Sequence, residues 1–272
     1  MPVLPTGLPM TDSPPPGTER VPALRLRGLT KRFDTTMAVD RLDLDVPRGS
    51  FYGLVGPNGA GKTTTLSMAT GLLRPDAGTA HVLGTDVWAD PVAAKARIGV
   101  LPDGLRIFDR LTGLQLVTYA GLLHGLDRAL VAERVRELLD ALGLTEAEDK
   151  LVIDYSAGMT KKVTLACALV HAPRLLVLDE PFEAVDPVSA RTIRGILEDF
   201  VASGGTVVLS SHVMDLVERI CTHVAVISDG LVLATGELDV VRGGRSLEER
   251  FVDLVGGSTE VVGLSWLRTS SD

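Results

Sequence analysis

A glycine-rich stretch near residue 60 carries the residues best suited to chemistry. It places three glycines, a lysine and two threonines within nine consecutive positions. Glycines let such a loop curl so that successive backbone N–H groups point at one anion. Lys62 can reach the β- and γ-phosphates of a nucleotide, and the Thr63 hydroxyl is suited to Mg²⁺. We predict a nucleoside triphosphate site formed by Gly56, Pro57, Asn58, Gly59, Ala60, Gly61, Lys62, Thr63 and Thr64.

The residues on either side predict the elements that must hold this loop. The apolar run Phe51 to Val55 precedes it, and Thr65 to Ala69 follows it. Strand, loop and helix in that order are the context that a phosphate-binding loop requires. The helix also directs the positive end of its dipole towards the loop near Gly61. An ordinary glycine-rich turn before a helix is the alternative, and the combined pattern strongly disfavours it.

A pair of carboxylates forms the second candidate site. The apolar run Leu175 to Leu178 ends at Asp179 and Glu180. Strand ends beside a phosphate loop are where α/β sheets present ligands. Asp179 is suited to hold Mg²⁺, and Glu180 is suited to act as general base on an attacking water. The alternative is a strand followed by an acidic helix cap, which the upstream loop disfavours.

Composition limits the class of protein. The 272 residues carry 27 basic and 35 acidic side chains, a net charge of −8, so we expect no nucleic acid partner. A hydrophobic fraction of 45% is ample for a sizeable core. No apolar run approaches the ~20 residues that span a bilayer, and the N-terminus does not resemble a signal peptide. We therefore expect a cytoplasmic protein that reaches a membrane only through a partner.

The chain is predicted to fold as an α/β protein with a phosphate-loop NTPase core. Strict alternation at Leu42 to Val46 predicts half-exposed strands of an antiparallel edge sheet. The continuous apolar runs predict the buried strands of a mixed, mainly parallel sheet. We expect a disordered proline-rich tail at 1–21, the main domain at 22–260 and a C-terminal tail at 261–272.

A helical insert is predicted within this domain, at about residues 105–165. Thr112 and Gln115 have the spacing of a capping box, which marks a helix start. Glycines at 125 and 143 are suited to end helices. The predicted helices span about 112–124, 128–142 and 156–171.

Two further motifs, Tyr155-Ser156-Ala157-Gly158-Met159 and Ser211-His212, complete a pattern. With the phosphate loop and the carboxylate pair, they resemble the ATP-binding cassette (ABC) family over about residues 23–255. The resemblance implies that Phe33 stacks on adenine and that His212 is a switch histidine contacting the γ-phosphate. Taken alone, Phe33 would be interpreted as a core residue and His212 as a surface or helix-capping histidine.

The resemblance also implies a composite site. Ser156 and the backbone around Gly158 would contact ATP bound to the opposite subunit, so two chains would sandwich two ATP molecules. The pair would be a homodimer, or a heterodimer with a related ATPase subunit. Taken alone, Ser156 is simply a good helix N-cap.

Three positions depart from the family pattern. Two of them lie in the signature motif, Tyr155 to Met159, where Tyr155 replaces the usual leucine and Ala157 replaces the first glycine. A backbone N–H remains at Ala157, so phosphate contact is retained unless the position needs a positive φ. Asp103 aligns with the glutamine of a loop that senses Mg²⁺ and the γ-phosphate, and an acidic residue there is common in export-type members.

These motifs resemble most closely the ATP-binding subunits of export-type transporters. The resemblance implies ATP and Mg²⁺ as ligands and separate membrane-spanning permease subunits as partners, docked near residues 103–123. It places the chain on the inner face of the cell membrane through those subunits. The alternatives are a soluble, non-transport ABC ATPase and a low-turnover ATP-binding regulatory protein.

Overall fold

The computed structural model describes residues 21–104 and 108–256. The predicted tails at 1–21 and 261–272 lie outside the described residues, apart from residue 21. So do residues 105–107 of the predicted insert. The domain limits drawn from the sequence therefore stay predictions.

An antiparallel sheet of four strands forms one side of the molecule. Its strands are β1 (Leu24–Phe33), β2 (Thr36–Val46), β4 (Ala77–Val82) and β5 (Thr85–Asp86), in the order β2-β1-β4-β5. Along β2, the residues from Leu42 to Val46 alternate between buried and exposed. This alternation buries one face of the sheet against the core and confirms the predicted edge sheet.

A mixed sheet of six strands forms the centre. Its strands are β3 (Phe51–Val55), β6 (Ile98–Leu101), β7 (Leu175–Asp179), β8 (Thr206–Ser211), β9 (His223–Ser228) and β10 (Leu231–Glu237). The order is β10-β9-β3-β8-β7-β6; β10 pairs antiparallel with β9 and the other pairs are parallel. Because β3, β7 and β8 are parallel neighbours, their carboxyl ends meet at one edge of the sheet.

Helices cover both faces of the central sheet. They are α1 (Lys62–Ala69), α2 (Pro91–Lys95), α6 (Pro187–Ala202), α7 (Met214–Ile220), α8 (Leu238–Arg242) and α9 (Leu247–Val255). Two apolar clusters result, one between the two sheets and one between the central sheet and the helices. The sequence patterns predicted the longer of these elements. They did not predict β5, α2 or α8, whose two to five residues are too few to show a period.

The helical insert contains α3 (Gly113–Leu123), α4 (Arg128–Ala141) and α5 (Ala157–Leu169). The predicted capping box is present: the Thr112 hydroxyl accepts from the amide of Gln115, and the Gln115 side chain accepts from the amide of Thr112. All three helices begin and end within about two residues of the predicted positions. The insert joins the core through the packing of α5 against β6 and α6.

Candidate phosphate-loop site

The phosphate loop leaves the sheet where all five residues of β3 are buried. A Cβ atom on Gly56 would collide with the carbonyl oxygen of Ile227, and one on Gly61 would collide with that of Ala38. Gly61 also has φ = 100° and forms the N-cap of α1. The glycines at these two positions are therefore required for the loop to pass close to neighbouring backbone.

Lys62 is the first residue of α1 and is only 6% exposed. Its Nζ donates to the carbonyl oxygens of Gly56 (2.8 Å) and Pro57 (3.2 Å), and lies 3.8 Å from Glu180 Oε1. Burial lowers the pKa of this ammonium, and the nearby Glu180 and Asp179 carboxylates oppose that shift. The side chain thus lies inside the loop it belongs to and faces the carboxylate pair.

The carboxylate pair is positioned by β7 and by its neighbour β8. Asp179 ends β7, is 4% exposed and accepts a hydrogen bond from Ser210 Oγ. The same hydroxyl accepts from the amide of Glu180 at 3.0 Å. Sequence reasoning missed Ser210, although a buried serine in the apolar run of β8 was a possible signal. Its role follows from strand register, because Asp179 and Ser210 are paired residues of parallel strands.

Glu180 is contacted at both its backbone and its side chain. Its φ of 46° lies in the left-handed region, which non-glycine residues adopt at a cost. Oε1 lies 3.0 Å from Nδ1 of His212, the residue that follows β8. The carbonyl oxygen accepts from Nζ of Lys161 at 2.9 Å. Sequence reasoning did not identify Lys161 as a site residue.

A cavity of about 310 Å³ brings most of the predicted site residues together. The structure brings Asn58 and His212, which are 154 positions apart in the chain, into one space, because β3 and β8 end at the same edge of the sheet. Ala38 and Glu183, which were not predicted as site residues, also line the cavity. The predicted residues that line it are Asn58, Gly59, Ala60, Gly61, Lys62, Thr63, Thr64, Asp103, Glu180 and His212.

Six predicted residues do not line this cavity: Gly56, Pro57 and Asp179, whose contacts are given above, and Phe33, Ser156 and Gly158. Phe33 ends β1 and is 47% exposed, with Nζ of Lys31 5.6 Å from its ring centroid. Ser156 is the exposed N-cap of α5, where its hydroxyl accepts from the amide of Met159. Gly158 is buried, and a Cβ atom there would lie 2.7 Å from Asp186 Oδ2. Within one chain, Phe33, Ser156 and Gly158 therefore do not contribute to the cavity around Lys62.

The signature departures have clear local explanations. Ala157 is the first residue of α5 and is absent from the residues with positive φ, so an alanine fits this backbone without strain. The Tyr155 hydroxyl donates to the carbonyl oxygen of Ala147 at 2.7 Å. A Cβ atom on Gly113 would collide with the same hydroxyl. Tyr155 therefore ties the signature to the start of α3.

The site has the chemistry that Mg²⁺ prefers, namely oxygen donors. Asp179 lies at the end of β7, Thr63 is exposed beside Lys62, and Asp103 lines the cavity. In the described part of the chain, no three His, Cys, Asp or Glu side chains cluster in a way that could hold a metal by themselves. That fits Mg²⁺, which commonly takes one or two protein ligands and completes its shell with phosphate oxygens and water. Separately, none of the helices in 21–104 and 108–256 is both long and apolar enough to cross a bilayer.

The fold and the site define the chain as an NTPase of the phosphate-loop class. A family model described as ABC transporter matches residues 39–183. The chain is 41% identical over 239 residues to the daunorubicin/doxorubicin resistance ATP-binding protein DrrA of Streptomyces peucetius, covering 87% of this chain and 72% of that protein. It is 37% identical over 214 residues to the Nod factor export ATP-binding protein I of Cupriavidus metallidurans, covering 79% and 71%.

A solved structure described as the ATP binding subunit of an ABC transporter has the same fold. It matches with a TM-score of 0.80 at 28% identity, covering 86% of this chain and 99% of that one. The chain therefore belongs to the ABC transporter family, as an ATP-binding and ATP-hydrolysing domain.

Proposed function

We propose that this chain powers export through separate membrane-spanning subunits, and that ATP drives its dimerisation. The observation that carries the proposal is the composition of the cavity: it gathers the phosphate loop, Asp103, Glu180 and His212, while Ser156 and Gly158 lie outside it. One chain thus offers a nucleotide site without its signature residues. A second copy, or a related ATPase subunit, would supply them.

Hydrolysis depends on residues of this chain in distinct roles. Lys62 contacts the β- and γ-phosphates after exchanging the loop carbonyls for phosphate oxygens. Glu180 accepts a proton from the attacking water at its carboxylate. His212 holds that carboxylate in place through Oε1 and contacts the γ-phosphate. The phosphate loop holds the nucleotide with its backbone N–H groups.

Thr63, Asp179 and Asp103 would hold Mg²⁺ beside the phosphates. The bound ion would neutralise charge on the β- and γ-phosphate oxygens. The Ser210 hydroxyl orients Asp179 for this role, because it donates to that carboxylate. Asp103 is 44% exposed at its side chain, which leaves it able to approach the ion directly or through water.

Two contacts lie further from the phosphates. Phe33 would stack on the adenine, and its exposed ring at the end of β1 is open to such a contact. Ser156 and the start of α5 would face the nucleotide of the opposite subunit, where the exposed helix N-terminus favours a negatively charged phosphate.

A groove between the insert and the core supports the permease partnership. It has a volume of about 450 Å³, and its exposed apolar residues include Leu72, Phe108 and Leu123. Exposed apolar surface of this kind marks contact with a partner. The groove borders the predicted docking region at residues 103–123, and the relatives in drug resistance and Nod factor export support a permease as the occupant. In this proposal the chain would lie on the cytoplasmic face of the membrane, bound to the permease.

The experiment is to trap the dimer with Glu180→Gln. The variant keeps the site's shape and removes the base, so we expect it to bind ATP, stall hydrolysis and elute at twice the monomer mass only when ATP and Mg²⁺ are present. Glu137→Gln, an exposed glutamate on α4, is the matched control and should behave as wild type. Glu180→Gln that hydrolyses ATP at the wild-type rate as a monomer would contradict both the base and the dimer.

A further inference from the structure

Lys161 makes two contacts that the sequence motifs did not predict. Its Nζ donates to the carbonyl oxygen of Glu180 at 2.9 Å and lies 3.7 Å from Asp103 Oδ1. The side chain is 18% exposed, so its ammonium is largely enclosed by this chain. Lys161 lies on α5 of the helical insert, whereas Glu180 follows β7 and Asp103 follows β6. A single cation therefore joins the insert to two loops of the core.

The hydrogen bond from Lys161 stabilises the backbone of Glu180, which adopts an unfavourable conformation. Glu180 has φ = 46°, a conformation that is unfavourable for a residue with a side chain. Its amide donates to Ser210, and its carbonyl accepts from Lys161 and, at 3.2 Å, from the amide of Glu183. A hydrogen bond from a charged donor is stronger than one from a neutral amide. Lys161 thus contributes the strongest kind of donor to the peptide that orients the Glu180 carboxylate.

The contact with Asp103 explains how this chain accommodates an acid in its sensing loop. A glutamine at position 103 could only accept a hydrogen bond from this ammonium, whereas a carboxylate also gains the Coulombic attraction of an ion pair. The partial enclosure of Lys161 makes this pair less screened than one between two fully exposed side chains. The acid at 103 and the cation at 161 are complementary, and together they connect the sensing loop to the peptide of Glu180.

We propose that Lys161 is a positioning residue for ATP hydrolysis. It fixes the Glu180 peptide and the Asp103 carboxylate relative to each other at the boundary between insert and core. The proposal rests on the proposed role of Glu180 as general base. Lys161 does not contact the nucleotide in this scheme. Its loss should therefore slow the chemical step and leave ATP binding unchanged.

The test compares kcat and ATP affinity in four single variants. Lys161→Met should lower kcat about tenfold, as expected for one charge-assisted hydrogen bond, with ATP affinity within about twofold of wild type. Lys161→Arg keeps the cation and should recover most of the rate, whereas Lys161→Gln keeps a donor without the charge and should recover less. Lys150→Met, an exposed lysine of the same insert, is the matched control and should be unaffected.

A second measurement isolates the contact with Asp103. In a double-mutant cycle of Lys161→Met and Asp103→Asn, the double variant should be much less impaired than the sum of the single losses predicts. Fully additive losses would overturn the coupling. An unchanged kcat in Lys161→Met would overturn the positioning role. A loss of rate would also overturn it if ATP affinity fell by a similar factor and the melting temperature dropped, because that combination would indicate a structural role.

The choice of variants separates this proposal from the proposed function. If Lys161→Met fails to fold, the comparison of Lys161→Arg with Lys161→Gln decides, and equal rates for these two would overturn the proposal. Glu180→Gln tests the base itself. Hydrolysis at the wild-type rate in Glu180→Gln would remove the basis of both proposals. A stalled Glu180→Gln beside a fully active Lys161→Met would remove the Lys161 proposal alone.

Discussion

Nδ1 of His212 lies 3.0 Å from Oε1 of Glu180. The same oxygen lies 3.8 Å from Nζ of Lys62, so groups from two other loops share the Glu180 carboxylate. Each of these loops follows a parallel strand of the central sheet. The strand order β3-β8-β7 therefore determines which side chains the Glu180 carboxylate meets, and each contact can be tested by substitution.

Removing the Lys62 ammonium should weaken nucleotide binding. In Lys62→Ala the γ-phosphate loses a charge-assisted donor, so ATP affinity should fall at least about tenfold. Titration with a fluorescent ATP analogue measures this directly. Lys150→Ala serves as the control and should bind like wild type. Unchanged affinity in Lys62→Ala would show that the phosphates bind elsewhere.

Restoring the family's glycine in the signature should not improve the enzyme. Ala157 lies outside the positive-φ region, so Ala157→Gly relieves no strain. Its effect should be a small loss of helix stability, about 0.5–1 kcal/mol at most, because glycine is a poorer helix residue than alanine. ATPase activity should stay within about twofold of wild type. A several-fold rise in kcat would show that the alanine methyl group hinders the composite site.

Gly113 and Tyr155 should behave as a coupled pair. A methyl group at position 113 would collide with the Tyr155 hydroxyl, so Gly113→Ala should destabilise the protein by about 1–3 kcal/mol. Tyr155→Phe removes the hydroxyl and its bond to the Ala147 carbonyl, at about 1 kcal/mol. The double variant should lose less than the sum of the two. Urea denaturation of the four proteins measures the coupling, and simple additivity would contradict the clash.

Acid should destabilise the protein through His171. Its ring is stacked on His124 with centroids 3.6 Å apart, and its Nε2 lies 3.0 Å from the Ile98 carbonyl oxygen. Burial lowers the pKa of His171 to about 4, and the neighbouring His124 adds to this effect. Burial also lowers the pKa of His124. The unfolded chain binds a proton at His171 near pH 6.5 and the folded chain only near pH 4, so the free energy of unfolding falls as pH drops through that window.

His171→Gln provides the control for this pH dependence. Glutamine can place an N–H donor near the Ile98 carbonyl and does not titrate. Melting temperatures measured from pH 7 to pH 4.5 should therefore fall less steeply in the variant than in wild type. Equal slopes for the two proteins would show that acid acts through other groups.

Local chemistry made much of the fold predictable. Thr112 and Gln115 marked a helix start because a capping box involves only neighbouring residues. The turn at Asp229 and Gly230 joins β9 to β10, as expected from a dipeptide that readily adopts positive φ at both positions. Buried strands such as β3 and β7 were visible as short apolar runs. The short elements β5, α2 and α8 were not predicted, because they depend on tertiary packing rather than on their own periodicity.

Many of the functional residues of the site could likewise be identified from the sequence. The phosphate loop, Asp179 and Glu180 were identified from residue type, spacing and position after apolar runs. Their proposed roles follow from the chemistry of lysine, hydroxyl and carboxylate groups, which does not depend on the details of packing. Phe33 and His212 required the family pattern, because a lone aromatic or histidine has many possible environments.

Only the tertiary structure decided how these residues combine. It paired Ser210 with Asp179 through strand register, placed Lys161 between Asp103 and Glu180, and left Ser156 and Gly158 outside the cavity. It also showed that Ala157 occupies ordinary helical backbone. These contacts join residues far apart in the chain, and they depend on strand order and on the packing of α5 against the core. Short-range sequence patterns carry no information about such distances, whereas residue chemistry is fully specified by the sequence.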